Sequence, residues 1–192
     1  MVKRQKKPVF VFIGSLFSLL LVACTANHTK NGEQLVQDPN RQTIENVLQQ
    51  LLNAPDEELL TEYYYVTHTV DEKTETTSSA TDKLNNLLEE RFGDFFTKTG
   101  YEKFIDELGF KYSIEAESSE YQLMVNGIDV TQDKDASQHY VFKVHLVYTT
   151  DEGEEKTALV TGKAESREKG KLSSIEIKDD EGLEQEMIEN GQ

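Results

Sequence analysis

Between positions 44 and 96 the apolar residues recur with helical spacing. Ile44, Val47, Leu48, Leu51 and Leu52 fall at i, i+3, i+4, i+7 and i+8, which is one stripe of an amphipathic helix. Asp38 and Pro39 supply its start: the Asp oxygen can accept an exposed N–H, and Pro at the first helical position has no N–H to lose. The stripe stops at Asn53, Ala54 and Pro55. Pro55 is expected to open a second helix with Asp56, Glu57 and Glu58 in its first turn, where negative charge meets the positive end of the backbone dipole. Leu59, Leu60, Tyr63, Tyr64 and Thr67 continue that helix. From Val70 to Asp82 no apolar period survives, and the pattern predicts a mobile loop. Leu84, Leu87, Leu88, Phe92, Phe95 and Phe96 then resume the stripe, giving a third helix bent near Gly93. A short helical piece from Tyr101 to Leu108 ends at Gly109, a suitable helix terminator.

Beyond that point the period changes from helical to alternating. Tyr121, Leu123 and Val125 alternate with polar neighbours as far as Asn126 and Gly127, and Tyr140, Phe142, Val144, Leu146 and Tyr148 alternate over nine positions. A turn at Asp151, Glu152 and Gly153 leads to a strand from Thr157 to Glu165, and Gly170 with Lys171 turns into a last strand from Leu172 to Lys178. Helices first and a meander afterwards predict an α+β domain, N-terminal helices packed on a curved antiparallel sheet. Residues 180–192, rich in acids and without a base, are expected to form a frayed tail.

The N-terminus carries a different pattern. Four cations, Lys3, Arg4, Lys6 and Lys7, precede a 14-residue run from Val9 to Val22, short of the roughly 20 apolar residues that a membrane span needs and suited to the apolar stretch of an export signal. The run ends in Leu21, Val22, Ala23 and Cys24, and turns polar at once. This segment resembles a bacterial lipobox. The resemblance implies that the Cys24 thiol receives a diacylglyceryl group, that residues 1–23 are removed, and that the protein is held by lipid on the extracytoplasmic face of the cell membrane. Two acyl chains give a stable anchor where one is only marginal. Residues 24–38 read as a lipidated flexible tether of roughly 20 Å root-mean-square span.

For residues 39–179 the element order, the turn at Asn53, Ala54, Pro55 and Asp56, the segment from Phe95 to Tyr101, the strand beginning Tyr140, Val141, Phe142, Lys143 and Val144, and the positions of Gly162 and Gly170 together resemble the NTF2-like cone fold. The likeness is to small Gram-positive lipoproteins that carry such a domain. It implies a sheet wrapped around helices, often with a conical cavity, in which enzymes resembling ketosteroid isomerase or scytalone dehydratase place Asp, His or Tyr. No motif of an enzymatic subgroup is present, so no catalytic residue carries over.

Charge and composition narrow the chemistry. With 36 acidic and 20 basic residues the chain has a net charge of -16, which repels nucleic acid; loss of the four N-terminal cations would take the exported part to about -20. A single cysteine excludes a disulfide framework and a cysteine-built zinc or iron–sulfur site, and no cofactor is expected. On the strand with Phe142, alternation places Lys143 and His145 on the face opposite the core, so His145 is solvated or at an interface. Asp129, Asp133 and Asp135, with Glu152, Glu154 and Glu155, lack EF-hand spacing and read as solvated hairpin loops. Tyr63, Tyr64 and Tyr65 are successive, and a helix rotates about 100° per residue, so at least one ring must meet solvent, a cavity or a partner. Tyr65 lies off the apolar stripe and is the candidate contact residue, with His145 the second.

The reading favoured by these features is a lipid-anchored, non-catalytic module that binds a protein or small-molecule partner at the cell surface. Its alternatives are an accessory part of a cell-envelope, conjugation or secretion assembly, and a cavity enzyme of the proton-transfer or hydration type. Replacing Cys24 by Ala is expected to abolish lipidation and leave uncleaved precursor in the membrane. Metabolic labelling with a fatty-acid analogue checks this: continued labelling and cleavage before position 24 would exclude the lipobox.

Overall fold

The computed structural model describes residues 38–69 and 75–191; the expected export signal, Cys24 and all but the last residue of the expected tether lie outside them. Asp38 caps α1 (Pro39–Leu52), accepting from the Asn40 N–H at 3.0 Å with Pro39 in the first turn, and the whole apolar stripe of α1 is buried. Asn53 ends the helix and turns its side chain onto the sheet, where its Oδ1 accepts from the Val125 N–H at 2.8 Å. Ala54 exchanges both backbone hydrogen bonds with Leu123.

The Ala54–Pro55 peptide is cis, and α2 (Glu57–Thr69) starts after Asp56 rather than at Pro55. Asp56 acts as the cap, its carboxylate accepting from the Leu59 N–H at 3.0 Å. Val66, not Thr67, continues the inward stripe; Thr67 is exposed and donates back to the Tyr63 carbonyl. The loop expected as far as Asp82 is shorter, because α3 (Glu75–Phe92) begins well before it. Ala80, one turn ahead of Leu84, is buried and carries the stripe backwards with a side chain too small to register as a period. A 3-10 turn at Gly93–Phe95 makes the expected break, and α4 (Lys98–Glu107) follows, capped by Thr97. α5 (Lys111–Ser118) was not foreseen, since its buried face is Tyr112, Ser113 and Ala116, one ring and two small residues.

Four strands then run as an antiparallel meander in sequential order: β1 (Gln122–Gln132), β2 (His139–Thr149), β3 (Glu155–Glu165) and β4 (Ser174–Asp179). Helices followed by an unclosed, curved antiparallel sheet make the chain an α+β protein. β1 does not end at Asn126 and Gly127. A bulge there shifts the register, so that Val125 opposes Leu146 and Ile128 opposes Val144, and the strand continues to Gln132 with its apolar residues still inward. Tyr140, Phe142, Val144, Leu146 and Tyr148 are buried on the inner face, whereas Lys143 and His145 are exposed on the outer one. Phe142 lies opposite Gly162, and a Cβ at Gly162 would run into that ring and the Glu176 carbonyl.

The acidic tail is the largest departure from expectation. Residues Leu183–Asn190 form α6, with Leu183 and Met187 buried in the main core. Three donors converge on one carboxylate: Glu186 accepts from the Tyr121 hydroxyl at 3.1 Å, the Tyr148 hydroxyl at 3.0 Å and Lys156 Nζ at 2.9 Å. Asn190 donates to the Tyr121 hydroxyl, and Tyr112 donates to Asp180 at the helix start. Acids that read as a solvated end are thus the acceptors that buried phenols require. Among the described residues no helix is long and apolar enough to cross a membrane.

Replacing Phe142 by Ala is expected to destabilise the fold by about 3–5 kcal/mol, and Lys143→Ala by less than about 0.5 kcal/mol, in chemical denaturation. Equal losses would reverse the assigned faces. The Lys156 hydrogen bond, followed by those from Tyr148 and Tyr121, holds the Glu186 carboxyl below its ordinary range against the opposing effect of burial. A group with a depressed folded pKa stabilises above its unfolded value, so this contribution is complete at neutral pH and disappears as pH falls through the glutamate range, near and below about 4. Amide protection over α6 is therefore expected to fall on acidification. Glu186→Gln should lower it already at neutral pH by about 1–3 kcal/mol, leaving a weaker acid dependence. Unchanged protection in that variant would detach Glu186 from the docking of α6.

Candidate functional site

The three tyrosines of α2 have three different surroundings. Tyr63 turns inward against Phe110, ring centroids 4.9 Å apart, and meets Tyr64 edge-on at 5.5 Å. Tyr64 reaches across to α5, its hydroxyl donating to Glu117 at 2.7 Å; that bond, aided by burial, pushes the hydroxyl pKa up to about 12. Tyr65 is 50% exposed. The base of α2 is held by Arg91 from the last turn of α3, which pairs with Asp56 and, at 2.6 Å, with Glu58. Lys83 of α3 pairs with Glu62 farther along.

A groove follows α2 on this side. One hollow of about 640 Å³ lies between α2 and the end of α5, with Leu60 and Tyr64 against Glu117, Glu120 and Gln122. A second, of about 620 Å³, is formed by Thr61, Glu62, Tyr64, Tyr65 and Lys83. A third, of about 450 Å³, lies beyond Pro55 and includes Met124, Val147 and Glu155. The first shares Thr61 and Tyr64 with the second, and Pro55 and Gln122 with the third, so the three hollows adjoin one another between the sheet and the middle of α2. Of the three large apolar residues exposed in the described chain, Tyr65 lines the second hollow and Met124 (58%) the third, and Val141 lies elsewhere.

Glu120 stands on the wall of the first hollow with φ 58°, just after α5. That left-handed conformation favours Gly, because a Cβ crowds the backbone there.

The second sequence candidate lies apart from the groove. His145 is on the outer sheet face, over the bare Gly127 of the bulge, with Nε2 3.5 Å from the Asp129 carboxylate. His139 is on the same strand, roughly 20 Å away at six residues' spacing, 3.6 Å from Glu165. His68 is on α2 and contacts the Tyr64 carbonyl. The three described histidines do not converge, and no group of three or more His, Cys, Asp or Glu among the described residues is placed to hold a metal ion. Asp133 accepts from the Asp135 N–H in a local turn of the β1–β2 hairpin.

The sequence singled out Tyr65 and missed the opposite wall. Glu117 and Glu120 could not be set across from α2 while α5 was unrecognised, and Met124 read as an ordinary strand position. The chain matches no family model, no curated protein and no solved structure.

Proposed function

We propose that this protein is a membrane-tethered binding module: a domain of NTF2-like type, held on the extracytoplasmic face by lipid on Cys24, that engages a partner through the α2 groove without chemical turnover. The lipobox resemblance supports the anchor. The run of helices into an antiparallel meander, with the sheet's inner face against them, supports the fold type. The observation that carries the binding reading is the row of adjoining hollows along α2, with Tyr65 and Met124 exposed in two of them. Burying such groups in a partner gains what they leave unused in the isolated domain.

Tyr65→Ser is expected to shift the melting temperature little, because the ring is half exposed, and to remove specific proteins from those that co-purify with the full chain out of membrane extracts. A large fall in melting temperature would make Tyr65 a packing residue. An unchanged set of co-purifying proteins at unchanged stability would remove the groove as the contact surface.

A further inference from the structure

We propose that the folded domain stands on the membrane by the end at which α1 begins, setting the cations of two hairpins against anionic phospholipid headgroups and holding its acidic end away from the lipid; this rests on the lipid anchor at Cys24. The strands define the two ends. His139 of β2 opposes Glu165 of β3, whereas Thr149 at the other end of β2 opposes Glu155. Eleven residues of strand at about 3.3 Å each put roughly 35 Å between these ends. Charge is divided unequally along that axis. Around the His139 end lie the start of α1, the turn before α4 and the β1–β2 and β3–β4 hairpins; in residues 38–42, 93–98, 133–139 and 165–173 six acids are balanced by six bases. Around the Thr149 end lie α5, the β2–β3 turn and α6; residues 111–122, 149–156 and 179–191 hold 13 acids against two bases. An anionic surface repels the second end and not the first. Its potential decays over about 8 Å at physiological ionic strength, so the acids of an upright domain stay beyond its reach, while a domain on its side brings them within it.

The fold also fastens a cationic hairpin to the point where the expected tether enters. Asn40, two residues past Asp38, accepts from the Gly170 N–H through its Oδ1 at 2.6 Å, and Thr43 donates to the Gly170 carbonyl at 3.1 Å. Within that hairpin the Ser166 hydroxyl donates to the Lys171 carbonyl at 2.7 Å. Arg167 is turned back onto Glu165 and Lys171 toward Asp94, whereas Lys169 is exposed at the tip and pairs with no acid among the described residues. Lys134 is exposed in the β1–β2 hairpin, which hydrogen bonds from Gln132 to Tyr140 and from Tyr140 to Asp38 set beside the same helix start. A domain held by acyl chains a tether's length from Asp38 therefore brings Lys134 and Lys169 to the lipid, and with them the complementary charge.

The full lipidated chain, purified from cells, is reconstituted into vesicles of phosphatidylcholine with phosphatidylglycerol and into vesicles of phosphatidylcholine alone, each carrying a headgroup nitroxide lipid. A dye is attached at Ser137→Cys in the β1–β2 hairpin or at Glu152→Cys in the β2–β3 turn, both exposed positions. In the anionic vesicles quenching at the first site is expected to exceed that at the second about threefold, and the excess to shrink at high salt and in the neutral vesicles. Lys134→Glu combined with Lys169→Glu should reduce the excess to its neutral-vesicle level. Lys103→Glu combined with Lys178→Glu, the same reversal beside Glu176 on the flank, should not. All four lysines are exposed, so neither pair disturbs the core. An excess that responds neither to lipid charge nor to the hairpin reversals would overturn the proposal. Flotation of the vesicles separates it from the anchor: a chain that does not float with them overturns anchor and orientation together, while one that floats and is quenched equally at both sites overturns the orientation alone.

Discussion

A tyrosine buried by its ring must still satisfy its hydroxyl, and in this protein that requirement fixes both ends of the described domain. The inner sheet face carries tyrosines toward its two ends. At one, the Tyr140 hydroxyl donates to Asp38 and accepts from Asn40 and Gln132, tying the start of α1 to β1 and β2. At the other, Tyr121 and Tyr148 are stacked 5.8 Å apart and share the Glu186 carboxylate, which draws α6 over them. Tyr112 holds Asp180, the residue that also satisfies the first amides of α6. Among the described residues no buried side-chain nitrogen or oxygen lacks a hydrogen-bond partner. The polar ends of the domain are where these phenols find their acceptors.

This division explains what could be read from the sequence. Elements that bury through long apolar side chains were legible: the α1 stripe, the Leu84 to Phe96 run, and the alternation from Tyr140 to Tyr148. Elements that bury through small or charged residues were not. α5 packs through Ser113 and Ala116 as well as Tyr112, and α6 through two apolar residues and a carboxylate. The first strand was half seen, since Asn126 and Gly127 are strong turn residues and only the pairing partner shows that they form a bulge. For the site, geometry of a single helix was enough to mark Tyr65. Glu117 and Glu120, which share a hollow with Tyr64, lie more than fifty residues downstream, and no local pattern relates them to α2.

The groove is a consequence of how the chain leaves α1. Ala54 and Asn53 lie along the edge of β1 and take hydrogen bonds that another strand would otherwise claim. That turn sets Pro55 beside Gln122, and the hollow next to them lies between α2 and the end of α5, spanned by the Tyr64–Glu117 hydrogen bond. Cover of the sheet edge and placement of α2 thus fall to the same few residues.

The other side of the sheet is closed differently. β4 pairs with β3 only from Thr161 onward, so the first half of β3, paired with β2 on one side, has no strand on the other, and the Leu159 amide there donates to the Glu181 carboxylate from the segment that leads into α6. A bare strand edge is a template for pairing with another chain. Helix α6 is therefore tied to the colloidal behaviour of the molecule as well as to its fold. A C-terminal segment that stays in place beside β3 keeps neighbouring copies from joining edge to edge when they meet at high local concentration.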